Sequence, residues 1–113
     1  MFNVAIIGGE NTKDYKFFSE SCIKCLKNKA KEGIIIHTIG DEYIEAFAER
    51  YHIPVLFFAT DWKKFGNNAY LVRNDQLLEN CDGIIVFNDG TKNTLLIAKT
   101  AKDKNIPIVV IKK

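Results

Sequence analysis

The residues able to do chemistry in this chain are mostly carboxylates, glycines and one tryptophan at the ends of apolar runs. Glu10, Asp41, Asp61 and Asp89 each follow such a run, with no histidine or cysteine nucleophile beside them. Gly8-Gly9 closes the first run. A glycine pair there lets the backbone turn sharply and approach a ligand, and a following helix would offer free N–H groups to an anion. It is not a G-x-G-x-x-G and no Walker lysine follows, so phosphate cradle and plain turn are both open. Asn11 or Thr12 is the expected cap of the next helix. Gly40-Asp41 opens another helix, where Asp41 serves either as N-cap or as an acceptor for ribose hydroxyls.

Residues 59–68 form the most unusual loop, with Asp61, the single tryptophan Trp62, Lys63, Lys64, Phe65 and Gly66 in a polar stretch. Trp62 there is either a lid on a helix edge or a stacking face for a planar group. Arg73-Asn74 follows, as a surface pair or as an inward fork that clamps a loop or a phosphate. Asp89-Gly90-Thr91 ends the fourth apolar run, with Thr91 a plausible N-cap and Gly90-Thr91 an anion-friendly helix start. Cys22 and Cys25 make a C-x-x-C, but they share helical spacing with Tyr15, Phe18 and Leu26 and read as packed hydrophobes. Neither they nor Cys81, His37 or His52 compose a metal site, and no cofactor is implied.

The elements that must position these residues follow from five apolar runs, at 3–7, 34–37, 55–58, 83–87 and 108–111. Helical patterns separate them at 13–29, 42–51, 67–79 and 91–104. Strands alternating with helices predict right-handed βαβ units and one parallel sheet, and continuous hydrophobicity predicts that both faces of all five strands are covered. The expected fold is α/β, doubly wound, in three layers around a five-stranded parallel sheet. Ligands then belong beyond the carboxyl ends of the strands, where five of the seven glycines fall.

At 113 residues, 47% hydrophobic and with two prolines, residues 1–113 read as a single domain with one ligand site. Sixteen basic against fourteen acidic residues leave a net charge of +2, too little to argue for nucleic acid or an anionic membrane surface. No apolar run approaches the roughly 18 residues of a membrane helix. The start of the chain has no basic leader pattern, and an odd number of cysteines fits a reducing compartment, so a cytoplasmic location is expected.

In order along the chain, these pieces resemble the SLOG superfamily of Rossmann-like domains, in particular its short YspA-like branch common in bacteria and phages. The stretch from Ala59 through Asp61-Trp62 to Phe65-Gly66, with Arg73-Asn74, is similar to the family's A-D-W-x-x-Y/F-G…R-N. Cys81-Asp82-Gly83 onward to Asp89-Gly90-Thr91 is similar to its a-D-x-x-i-a-F-x-D-G…G-T, and Asp41 through Ala48 to Pro54-Val55 matches a third spacing. Three features depart: the loop before Asp41 is shortened, Asp89-Gly90 runs directly into Thr91, and Gly8-Gly9-Glu10 stands where relatives have G-S-R. The resemblance implies binding of nucleotides, nucleotide-derived signals or nucleic acid. Relatives that cleave N-glycosidic bonds carry a carboxylate in G-T-x-x-E, and here that position is Thr94.

The leading expectation is therefore a binding module for a nucleotide-like small molecule, a sensor or sequestering protein of a phage or mobile element, without turnover. Its ligand-binding residues would be Gly8, Gly9, Glu10, Gly40, Asp41, Asp61, Trp62, Gly66, Arg73, Asn74, Asp89, Gly90 and Thr91. A hydrolase of a nucleotide glycosidic or phosphate bond is the first alternative. Single-stranded nucleic-acid binding on Lys63, Lys64, Lys92, Lys99 and Lys102 is the second. Partner binding or homo-oligomerisation through an exposed Tyr15, Phe17 and Phe65 is the third.

Overall fold

The chain starts in the middle of its own sheet and builds outwards twice. In the computed structural model, which describes residues 1–87 and 90–112, β1 (Phe2–Ile7) pairs with β2 (Ile34–Thr38) on one side and β4 (Gly83–Phe87) on the other. β3 (Val55–Phe57) and β5 (Ile108–Ile111) are the two edges, giving the order β3-β2-β1-β4-β5 with every pairing parallel. Asn88 and Asp89 lie outside the described residues.

Alternation along β1 divides the core. Val4 and Ile6 face α1 (Tyr15–Leu26) and α2 (Glu42–Arg50), where Phe18, Cys22, Ile44 and Phe47 pack on them. Ala5 and Ile7 face the other way, against Leu77 and Leu78 of α4 (Ala69–Leu78) and Ile97 and Ala101 of α5 (Lys92–Asp103). The doubly wound, three-layer α/β architecture read from the sequence is therefore present.

The expectation that every strand is covered on both faces fails at the edges. Leu56 and Phe57 are 47% and 60% exposed, and Val109 and Val110 are 46% and 51% exposed. Neighbouring strand residues point to opposite faces, so β3 and β5 each leave apolar surface on both sides. The helices seat on the central strands and overhang the edges incompletely.

Local chemistry places the helix starts. Asp14, not Asn11 or Thr12, caps α1 by accepting the Phe17 amide at 3.1 Å. Thr12 instead donates its hydroxyl to the Gly9 carbonyl. The single helix expected over 67–79 is preceded by a separate short one, α3 (Trp62–Phe65), capped by Asp61. Gly66, at φ +54°, ends α3, and a 3-10 turn at Gly66–Asn68 leads into α4. Tyr15 and Phe17, expected on an exposed surface, are half-buried against the α1–α2 core, Tyr15 edge-on to Tyr43 and Phe17 to Phe87.

Candidate functional site

Two adjoining depressions occupy the carboxyl end of the sheet. The first, about 350 Å³, lies where strand order reverses around β1 and is lined by Gly8, Glu10, Gly40, Asp41, Thr91 and Asn93 among others. This is the position at which open parallel sheets bind ligands. Gly8 is needed there twice over: its φ is +82°, and a Cβ would sit 2.6 Å from the Phe87 carbonyl oxygen. Gly9 is held by a different constraint, since its own Cβ would strike the buried ring of Phe18 at 2.5 Å.

Glu10 and Asp41 form a reciprocal latch across this crevice. The Glu10 amide donates to Asp41 Oδ2 at 3.0 Å, and the Glu42 amide donates to Glu10 Oε1 at 2.9 Å. Asp41 Oδ1 also accepts from the Tyr43 and Ile44 amides, so Asp41 is the N-cap of α2 as the sequence suggests. Burial holds the Asp41 carboxyl above its ordinary range, with the Glu10 charge adding to that, while the amide hydrogen bonds pull it back down. Among the described residues no lysine or arginine lines the crevice. Thr91 caps α5, accepting the Thr94 amide at 3.3 Å.

The second depression, about 620 Å³, is a cleft over α3 and the start of α4, with Asp61, Trp62, Lys63, Lys64, Phe65 and Arg73 on its walls. Arg73 turns inward, which decides between the two readings of that residue: it is 7% exposed. Its Nε and Nη2 donate to Asn74 Oδ1 at 3.4 and 3.2 Å, and Nη2 also donates to Asn93 Oδ1 at 3.0 Å. The guanidinium lies 5.1 Å from the centre of the Tyr70 ring, and Tyr70 meets Trp62 edge-on at 4.8 Å. Burial lowers the Arg73 pKa from its usual value. Among the described residues the sole ion pair is Lys104–Asp75, and none of their carboxylates pairs with Arg73. Trp62 is 49% exposed, leaving much of the ring open to solvent.

Asn93 borders the crevice and Arg73 borders the cleft, so their hydrogen bond is the wall between the two. The structure thus groups Gly8, Glu10, Gly40, Asp41 and Thr91 in one place and Asp61, Trp62 and Arg73 in the next. Asn74 sits behind Arg73, fully buried, with its Nδ2 unpartnered among the described residues. Gly9, Gly66 and Gly90 border neither depression, and Asp89 lies outside the described residues. Asn93 and Tyr70 escaped the sequence reading. Tyr70 stands three residues before Arg73, the spacing that stacks two side chains on one helix face.

Cys22 and Cys25 pack with the α1–α2 core, as their helical spacing suggests. Cys22 is buried in the α1–α2 core, and burial pushes its thiol far above the usual range. Burial likewise raises Cys81 to about 12, and its thiol donates to the Leu77 carbonyl. Among the described residues no three His, Cys, Asp or Glu side chains gather as a metal site, and no helix is long and apolar enough to cross a membrane. Compared with known proteins, the sequence matches no family model, and a search of curated proteins found no significant relative.

Proposed function

We propose that the protein binds a nucleotide or nucleotide-derived small molecule along the paired depressions and does not turn it over. The observation that carries this reading is the Arg73–Asn93 hydrogen bond, which sets an acidic crevice and a cationic cleft side by side across one shared wall. A nucleotide needs such a surface: acceptors for sugar hydroxyls, donors for phosphate and a flat apolar face for a base. Asp41 and Glu10 supply the first, Arg73 the second and the half-exposed Trp62 the third. The resemblance to SLOG domains of the YspA-like branch points the same way. The position of the family's glutamate is filled by Thr94, a buried hydroxyl hydrogen-bonded to Thr91 at 2.9 Å, which favours binding over N-glycosidic cleavage.

Native mass spectrometry of the purified protein, together with a thermal-shift panel of mono- and dinucleotides, tests the reading. A co-purifying nucleotide or a raised melting temperature is the expected result. If no nucleotide shifts the transition and none co-purifies, the reading fails. Sustained product formation that disappears in Glu10→Gln or Asp41→Asn would instead establish the hydrolase alternative.

A second reading, homo-oligomerisation, draws support from the apolar edge strands. Leu56 and Phe57 on β3, and Val109 and Val110 on β5, leave exposed apolar side chains beside unpaired strand backbone. Light scattering should return more than one chain per particle, and a strictly monomeric mass would remove this reading. The unpaired cysteines accord with a reducing, cytoplasmic setting.

A further inference from the structure

We propose that the anionic group of the ligand, a phosphate or pyrophosphate, is held in the Arg73–Lys63–Lys64 cleft and not on the glycine loops of the crevice. This inference rests on the nucleotide-binding reading and reverses the polarity that the glycine positions suggest. The crevice is already occupied by anions of the chain itself. The carboxylates of Asp41 and Glu10 take the amides of Glu10, Glu42, Tyr43 and Ile44. An incoming phosphate would compete with those bonds and sit beside two carboxylates, with no cationic side chain among the described residues to offset them.

The cleft has the opposite character. Three cationic side chains, Lys63, Lys64 and Arg73, share its walls with one carboxylate. That carboxylate, Asp61, accepts the Lys64 amide as the cap of α3 and pairs with none of the three cations among the described residues. Arg73 is the decisive group. A buried guanidinium is costly unless compensated by charge as well as by hydrogen bonds, yet its acceptors among the described residues are two neutral amide oxygens. Its Nε and Nη2 are engaged by those amides while the side chain still forms part of the cleft wall. Asn74, Asn93 and Tyr70 hold the guanidinium in place. With Nε and Nη2 donating to these amides, the guanidinium is fixed in place and meets a phosphate with its charge and its Nη1 protons. Lys63 and Lys64, both exposed, supply attraction at the rim, and Trp62 on the same wall faces whatever planar group is attached to the phosphate.

The test is calorimetric titration of inorganic pyrophosphate, and separately of a nucleoside diphosphate and its nucleoside, into the full chain. Wild type, Arg73→Gln, Arg73→Lys, the double variant Lys63→Gln/Lys64→Gln and the charge-matched control Lys31→Gln are compared. Lys31 lies before β2, at the opposite end of the sheet. The expected result is pyrophosphate binding to wild type and Lys31→Gln that weakens roughly tenfold to a hundredfold in Arg73→Gln. Arg73→Lys should also weaken it, because the charge stays but the group fixed in place by Asn74 and Asn93 is lost, and this variant decides if Arg73→Gln fails to fold. The double lysine variant should bind several-fold more weakly and lose much of the salt dependence. Absence of pyrophosphate binding to wild type, or equal binding in the Arg73 variants, would overturn the inference. If nucleotide binding persists unchanged in those variants, the inference falls and the nucleotide reading stands. If pyrophosphate binds through Arg73 but the nucleoside part adds nothing to affinity, the inference stands and the nucleotide reading falls.

Discussion

The crevice and the cleft lie side by side on the same rim of the sheet, yet they employ their charges in opposite ways. In the crevice both carboxylates of the latch are engaged by backbone amides, and one of them caps a helix. In the cleft the lysines and Arg73 have no carboxylate partner among the described residues. Carboxylates bonded to the chain's own amides hold the fold together and can take only hydroxyl donors from a ligand; cations with no counter-ion among the described residues are available to an anion. The contrast also separates two meanings of a glycine-rich strand end. Gly8 is required by the close approach of β1 to β4 and needs no ligand to explain it.

The sharpest way to break the contrast is at Gly8. Gly8→Ala forces a Cβ against the Phe87 carbonyl at a positive φ, and should destabilise the protein by roughly 3 kcal/mol or more in urea unfolding. A silent substitution would mean that the crevice backbone is not rigid. Asp41→Ala comes next, losing the α2 cap and the Glu10 amide together, with an expected loss of about 1–2 kcal/mol. Asp41→Asn keeps an acceptor oxygen and should cost less.

Beneath the crevice, His37 on β2 gives a pH test of the same structural half. Its Nε2 pairs with Asn3 Oδ1 at 3.0 Å, its Nδ1 is buried without a partner among the described residues, and it stacks on Phe58. Burial lowers its pKa below the usual value, opposed by the charge of Asp82. The unfolded chain therefore takes up this proton more readily than the folded one. Its contribution to stability is fully present above about pH 6.5 and is lost as pH falls from there through the folded-state pKa. The melting temperature should drop across that window, and His37→Gln should flatten the drop. An unchanged slope in the variant would show that the ring does not carry it.

The smallest stability effects belong to the cleft. Lys63→Gln, Lys64→Gln and Trp62→Ala should each change unfolding free energy by no more than about 0.5–1 kcal/mol. Larger losses would make these side chains structural and erase the difference between the two regions.

How far the sequence foretold this follows from the range of the interactions. The five strands, the helix pattern and the caps at Asp41 and Thr91 are local matters of periodicity and side-chain chemistry, and they were legible. Which strands become edges depends on the order of the whole sheet, so the exposed faces of Leu56, Phe57, Val109 and Val110 were not. The Glu10–Asp41 latch joins residues 31 positions apart, and the Arg73–Asn93 bond joins residues 20 apart. Neither has a sequence signal of its own. Arg73 was visible as a choice between surface and interior, and only packing against Tyr70 and Asn93 resolves it. The short helix α3 was missed because the polar stretch 59–68, with Gly66 in it, reads as one loop ahead of the helix over 67–79.

The central claim is that cleft charges hold the ligand's phosphate, whereas the crevice carboxylates hold the fold and have only hydroxyl groups left to accept from a ligand. Phosphorus NMR of a nucleoside diphosphate titrated with wild-type protein, Arg73→Lys and Thr91→Ala tests it most directly. The phosphorus resonances should shift alike on wild type and Thr91→Ala, and on Arg73→Lys only at much higher protein concentration. Resonances that shift as readily with Arg73→Lys as with wild type and no longer do so with Thr91→Ala would place the phosphate at the start of α5 and contradict the claim.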